Sequence, residues 1–190
     1  MSIPFVQDRV LTGGEWRHDG FAGAEFENCT FRNGQWMAAD LTGARFTDCT
    51  FEQCDLSNAV LRDAGFRTVT FKGCKLLGLQ FDQCNTFLLA MHFEHCRLDF
   101  SSFRSLMLKG ARFTGCSLIE VDFSGTDLSQ TTFHESDLAG ALFDETVLEG
   151  ADLRDARNLV LDPERNRIKG AHFTLDGLPG LLMRHRIKID

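Results

Sequence analysis

Several things that would place this chain in a common class are missing from it. There is no apolar run of about 18 residues, so no α-helix is expected to span a membrane. The first residues, MSIPFVQDRV, carry Asp8 and Arg9 and lack an apolar segment. They do not read as a secretory signal, and the expected location is the cytoplasm. Only three prolines occur, two of them, Pro163 and Pro179, near the C-terminus. The net charge of −7 leaves no basic surface for phosphates, which argues against direct nucleic-acid binding. Lys and Arg are absent from residues 113–153 altogether.

What the chain does have is a beat of five. Phe51, Leu56, Leu61 and Phe66 are five apart, each preceded two positions earlier by Cys49, Cys54, Ala59 or Ala64. Neither the 3.6 period of a helix nor the 2 period of a flat strand fits this. The beat runs from Phe21 to Phe81, through Phe26, Phe31, Trp36, Leu41, Phe46, Phe71 and Leu76. It resumes at Phe93 and continues every fifth residue to Leu153. Thirteen matches precede the break and thirteen follow it. The gap of 12 residues from Phe81 to Phe93 is two more than two repeats. A two-residue insertion is therefore expected within 84–91, as a bulge at Asn85, Thr86 and Phe87. Weaker matches at Leu11 and Trp16 suggest a frayed first turn.

A large residue and the small one two before it lie on the same side of an extended segment. Both can face inward while the other three face out. A corner every five residues closes a square in four repeats, giving coils of 20 residues stacked at about 4.8 Å. The sequence agrees with 20. Cys29 and Cys49, Cys54 and Cys74, and Cys96 and Cys116 are each 20 apart, and Phe93, Phe113 and Phe133 form one column. The span 21–153 gives about 6.6 coils, a rod of roughly 30–35 Å.

Segments such as ADLTG (39–43), ARFTD (44–48), SDLAG (136–140) and ADLRD (151–155) resemble the A(D/N)LXX motif of pentapeptide repeat proteins. The resemblance covers about 19–155. It implies an all-β, right-handed quadrilateral β-helix, with 1–18 as an N-terminal cap and 156–190 as a C-terminal cap and dimerisation segment. In the tail, NLVLDPERNRIKGAHF (158–173) is expected to cap the last coil. A short helix follows, with Asp176 as candidate N-cap, Pro179 in the first turn and Arg184, His185 and Arg186 in the last. Leu178, Leu181, Leu182, Met183 and Ile187 are its apolar residues. They make either a lid on their own coil or a two-fold contact with a second copy, and both cover a strand edge that must not stay open.

This tail resembles that of the McbG/AlbG-type members of the family, relatives of the Qnr and MfpA proteins. The resemblance implies a homodimer that binds DNA gyrase as a DNA mimic and protects it from poisons such as quinolones, albicidin or microcin B17. The candidate contact surface is Glu120, Asp122, Asp127, Glu135, Asp137, Asp144, Glu145, Glu149 and Asp152, the nine acids of the base-free stretch. They fall on every face, as a collar. Asn85, Thr86 and Phe87 are a candidate contact loop.

Enzyme chemistry finds no support in the residues. The seven cysteines, Cys29, Cys49, Cys54, Cys74, Cys84, Cys96 and Cys116, occupy the small inward slot at spacings unlike a zinc site. In HFEHC (92–96), His92 and His95 face out and Cys96 faces in, so the three cannot share an ion. No nucleophile–base set or phosphate loop is present. No cofactor or metal is expected, and a filled square prism has no pocket for a substrate. The competing reading is a non-catalytic structural or adaptor module with a different partner.

Overall fold

A computed structural model describes residues 4–13 and 20–188. Trp16 lies outside the described residues, as do residues 1–3 and 14–18 of the expected N-terminal cap. The chain winds as a parallel β-solenoid. Strands β1 (Phe5–Gln7), β3 (Glu25–Glu27), β5 (Arg45–Thr47) and β7 (Gly65–Arg67) stack on one wall. Strands β2 (Val10–Thr12), β4 (Thr30–Arg32), β6 (Thr50–Glu52), β8 (Val69–Lys72), β9 (Met91–Glu94) and β10 (Arg112–Thr114) stack on the next. The other two walls are built from single parallel bridges, such as Gln35 to Asp55 to Lys75 and Asp40 to Val60. Four walls with a 20-residue register make the quadrilateral β-helix.

The second wall shows the whole rod. Val10 pairs with Thr30, then Thr50, Thr70, His92, Arg112, Thr132, Asp152 and His172 follow in turn. The eight steps between these nine rungs correspond to about 38 Å. Leu11 is buried and pairs with Phe31 in the regular 20-residue register. At the other end the register does not stop at residue 155. Arg157, Arg167 and His172 pair with Asp137, Val147 and Asp152, so 156–173 makes a further, looser coil. Ile168 and Phe173 keep the beat of five there and pack partly buried against the core.

Backbone geometry explains why the chain turns. The residue two after nearly every central position adopts a left-handed conformation, as at Asn28 (φ 50°), Gly43 (φ 67°), Asn58 (φ 57°) and Gly125 (φ 68°); Gln83 and Asp155 do not. Glycine and asparagine tolerate this region and most other side chains resist it. An aspartate just before the central residue tightens the corner by accepting the backbone N–H two residues on. Thr42 N to Asp40 Oδ1 is 2.9 Å and Ser124 N to Asp122 Oδ1 is 2.8 Å. That bond is an Asx turn, and it gives the motif's Asp/Asn preference a mechanism.

All 26 central side chains are buried. Phenylalanines form columns: Phe93 to Phe113 and Phe113 to Phe133 lie 5.0 and 5.2 Å apart with planes 8° and 3° from parallel. Neighbouring columns meet edge-on, as Phe103 and Phe113 do at 84°. The seven cysteines are buried free thiols. Cys54, Cys74, Cys96 and Cys116 form one column whose sulfurs lie 3.3–3.5 Å from backbone carbonyls one coil away. Towards the C-terminus the slot holds hydroxyls instead. Thr126 and Thr146 donate to the carbonyls of Phe103 and Phe123 at 2.7 and 2.9 Å.

The insertion sits slightly later than the sequence suggests. Asn85 stays in the wall, bridged to Gly65 in the regular 20-residue register. Met91 then pairs with Val69, an offset of 22, so the extra residues lie between them. The loop is 86–90. Asn85 is its anchor: its Nδ2 donates to Asp63 Oδ1 at 2.7 Å, and its Oδ1 accepts from Phe87 N at 3.0 Å. Phe87 and Leu88 are exposed, and the Arg67 guanidinium lies 4.9 Å from the Phe87 ring centroid.

The tail corrects two expectations. Asp176 is not an N-cap, because it lies inside a 3-10 turn, Leu175–Gly177. Helix α1 is only Pro179–Leu182, with proline in its first turn. Arg184 and His185 belong to a second 3-10 turn, Met183–His185, and Arg186 follows in left-handed geometry. Gly180 sits against the Leu159 carbonyl, with no space for a Cβ between them, so the helix is pressed onto the last coil there.

Candidate functional site

The collar acids all project outward or lie half-buried, as the repeat geometry requires. Their surroundings differ from what the base-free stretch suggests. Parallel stacking places each residue beside those about 20 positions away, and the coils on either side of the collar carry arginines. Arg104 Nη1 donates to Asp122 Oδ2 at 3.1 Å from below. From above, Arg165 Nη2 reaches Asp144 Oδ2 at 2.7 Å and Arg167 Nη2 reaches Glu149 Oε1 at 2.7 Å. Arg154 clasps Asp152 with two bonds, of 2.9 and 2.7 Å. That guanidinium holds the Asp152 carboxyl down at a pKa of about 2.

Among the described residues, five of the nine have no Lys or Arg on their carboxylates, Glu120, Asp127, Glu135, Asp137 and Glu145, although Arg157 donates to the backbone carbonyl of Glu135 at 3.3 Å. Asp127 and Asp137 accept backbone N–H bonds from Ser129 and Ala139, and Asp137 also accepts from Asn158 Nδ2 at 2.8 Å. Glu135 lies 3.7 Å from His134 Nε2, an ion pair only when that ring is protonated. Glu120, Glu135 and Glu145 occupy left-handed corners, with φ of 55°, 53° and 54°, and stand out from the edges of the rod. The effective collar is therefore smaller than the sequence alone suggests. Two of its members lie on walls and three on corners.

The tail residues separate by burial. Leu181 packs against the core, while Leu178, Leu182, Met183 and Ile187 are exposed, as is Leu175. The segment is fastened from its polar side: Arg184 Nη1 lies 2.6 Å from Asp162 and 2.9 Å from Glu164. Leu142 and Val160 on the adjoining coils are also exposed and border the same opening as Met183.

Among the described residues no group of three His, Cys, Asp or Glu side chains is arranged to hold a metal. No helix is long and apolar enough to cross a membrane. Burial pushes the Cys49 thiol up to about 12 and the Cys116 thiol up to about 11, so neither is a ready nucleophile at neutral pH.

The class of molecule is thus a parallel solenoid with a filled interior. The chain belongs to the pentapeptide repeat family: the family's pentapeptide repeats match residues 21–58, 96–134 and 133–157, and the pentapeptide repeat region matches 44–98. No curated protein matches the chain. Among solved structures, a trypsin-treated form of QnrB1, a plasmid-mediated fluoroquinolone resistance protein, is 18% identical and aligns over 100% of both chains with a TM-score of 0.64. A second trypsin-treated form of QnrB1 is 21% identical over 98% of this chain and 100% of that one, at 0.46. HetL from the cyanobacterium Nostoc, involved in heterocyst differentiation regulation, is 18% identical over 92% of this chain and 88% of that one, at 0.35. The likeness to the first of these, at 18% identity, speaks for the fold alone.

Proposed function

We propose that this protein binds DNA gyrase in the cytoplasm as a DNA mimic and lessens the action of a gyrase poison such as a quinolone, albicidin or microcin B17. The observation that carries this reading is the distribution of Glu120, Asp127, Glu135, Asp137 and Glu145 around the rod without cationic partners. Five charges over two coils, about 10 Å of axis, compare with about six phosphates over the same length of duplex. A basic saddle built for DNA would accept such a surface by charge complementarity. The fold shared with QnrB1, itself a fluoroquinolone resistance protein, supports the reading.

The acting form is a homodimer joined through the exposed Leu178, Leu182, Met183 and Ile187, with Leu181 serving the fold of each copy. Pairing there places the two collars on either side of the dimer centre. The loop carrying Phe87 adds an apolar contact, held ready by Asn85 and Arg67.

The test is a supercoiling and cleavage-complex assay with gyrase, run with each of the three poisons while the protein is titrated. Relief of one poison at concentrations that spare supercoiling is the expected result. Replacing the three corner acids Glu120, Glu135 and Glu145 by Lys, which leaves the Asx turns of Asp127 and Asp137 in place, should abolish it without altering the circular dichroism spectrum. Unchanged protection by that variant would overturn the collar's role.

A second reading, a non-catalytic adaptor with another partner, is favoured by one observation: four of the nine collar acids are tied up within the chain. Absence of gyrase binding even at low salt would select it.

A further inference from the structure

Phe100 sits at a corner between two walls in a left-handed conformation, φ 64°, and is 59% exposed. It is the only phenylalanine with positive φ among the described residues. A bulky side chain in this region costs about 1–2 kcal/mol of backbone strain, and the ring gains nothing from burial. The equivalent corners of the neighbouring coils hold Ala38, Asn58, Gly78, Glu120 and Gly140, residues that are small or polar. Phe100 is thus placed against both backbone preference and hydration, at a position where its own fold offers better choices. Strain kept in this way belongs to surfaces with a purpose.

The corner is fixed firmly. Phe100 N donates to Ile119 O at 2.9 Å. The neighbouring Asp99 is buried, with its carboxylate turned to Ser117 Oγ and the Ile119 backbone N–H. Its charge is met by Arg97 at 3.3 Å. No free charge therefore adjoins the ring on its own coil, and half-buried Leu77 and Ile119 stand on the adjacent wall one coil below and one above. One coil above Phe100 on the same corner is Glu120 (φ 55°), which has no cationic partner among the described residues. The ring and the carboxylate form one continuous edge, apolar below and anionic above.

We propose that Phe100 is an aromatic anchor of the partner interface: the ring inserts into an apolar slot of the partner protein, beside a basic side chain that meets Glu120. This rests on the reading that the partner is gyrase, and adds to the charged collar a short-range contact that electrostatics alone does not supply. Charged rims set the rate of encounter, whereas a buried aromatic sets how long the complex lasts.

The experiment compares the full-length protein with Phe100→Asn and Phe100→Gly, both suited to the local backbone. Thermal unfolding is followed by circular dichroism, self-association by light scattering, and gyrase binding by surface plasmon resonance at two salt concentrations. Both variants should unfold at the same or a higher temperature, keep the oligomeric state of the parent, and dissociate from gyrase at least tenfold faster. The salt dependence of association should not change. Equal dissociation rates would overturn the anchor and leave gyrase binding intact. Loss of self-association in the variants would also overturn it, by assigning the ring to a second copy of this chain. If the parent protein fails to bind gyrase, both the anchor and the reading beneath it fall.

Discussion

Arg165 Nη2 lies 2.7 Å from Asp144 Oδ2, across a separation of 21 residues that the solenoid reduces to one step between coils. Both side chains remain well exposed, at 63% and 43%. Exposed ion pairs contribute little, because water screens them and ordering two side chains costs entropy. A double-mutant cycle on Asp144→Asn and Arg165→Gln should give a coupling of under about 1 kcal/mol. Denaturant unfolding of the four proteins measures it. The pair matters more for what it removes from the surface: Arg165→Gln alone should strengthen gyrase association at low salt, by freeing one carboxylate.

Thr68 is a β-branched residue at φ 54° on an exposed corner. Asparagine accepts that conformation far more readily. Thr68→Asn should stabilise the rod by about 1 kcal/mol, seen as a rise in the thermal midpoint. A fall would mean that the threonine side chain has a role that its exposure conceals.

Phe113 is fully buried and stacks between Phe93 and Phe133. Phe113→Ala should cost about 3–5 kcal/mol, from lost burial and the cavity left in a stiff column. In a stacked solenoid the damage spreads first to neighbouring coils. Hydrogen exchange should accelerate most between roughly residues 92 and 134, more than at either end.

The cysteines give a direct readout of the closed interior. At pH 8 the native protein should resist alkylation at all seven thiols, since each is buried and burial pushes Cys49 up to about 12. In denaturant, mass spectrometry should find seven labels. Rapid labelling of any one in the native state would show that its coil opens.

The Asp152 carboxyl titrates near 2, below its ordinary value of 3.8, because of Arg154, and Arg184 lowers that of Asp162. A depressed folded-state pKa contributes stability above the unfolded value, lost as pH falls through the folded one. The Arg184 contact that fastens the C-terminal segment should therefore hold at neutral pH and weaken as pH falls below the ordinary carboxylate value of 3.8. Amide exchange of residues 175–188, measured across that range, checks this.

The square rod was legible because its signal is covalent in scale: one large and one small inward residue in every five, repeated with little drift. The same regularity made the cysteine slots and the position of the insertion readable to within a residue or two. The extra coil was harder to see, because Ile168 and Phe173 keep the beat while Pro163 and several charges interrupt the pattern around them. The collar was half legible. Asp127 and Asp137 stand without a cation as the sequence suggests. Arg104, Arg165 and Arg167 become neighbours only after stacking, and local charge counts do not see 20 residues away; Arg154, two residues past Asp152, lies just outside the base-free stretch. Phe100 passed unnoticed because its strain lies in a backbone angle. The comparison to make in sequence is with the corner residues above and below it, Gly78 and Glu120.

The two extra residues after Asn85 change the register from 20 to 22 at a single corner, and every wall continues in line beyond it. Phe71 still stacks on Phe93 at 5.3 Å across the break, with planes 7° apart. A solenoid that absorbs an insertion so locally has a natural grafting point. Peptides of quite different length can be spliced between Asn85 and Met91 without disturbing the columns on either side. The same frame can then be fitted to a new partner by changing one short segment.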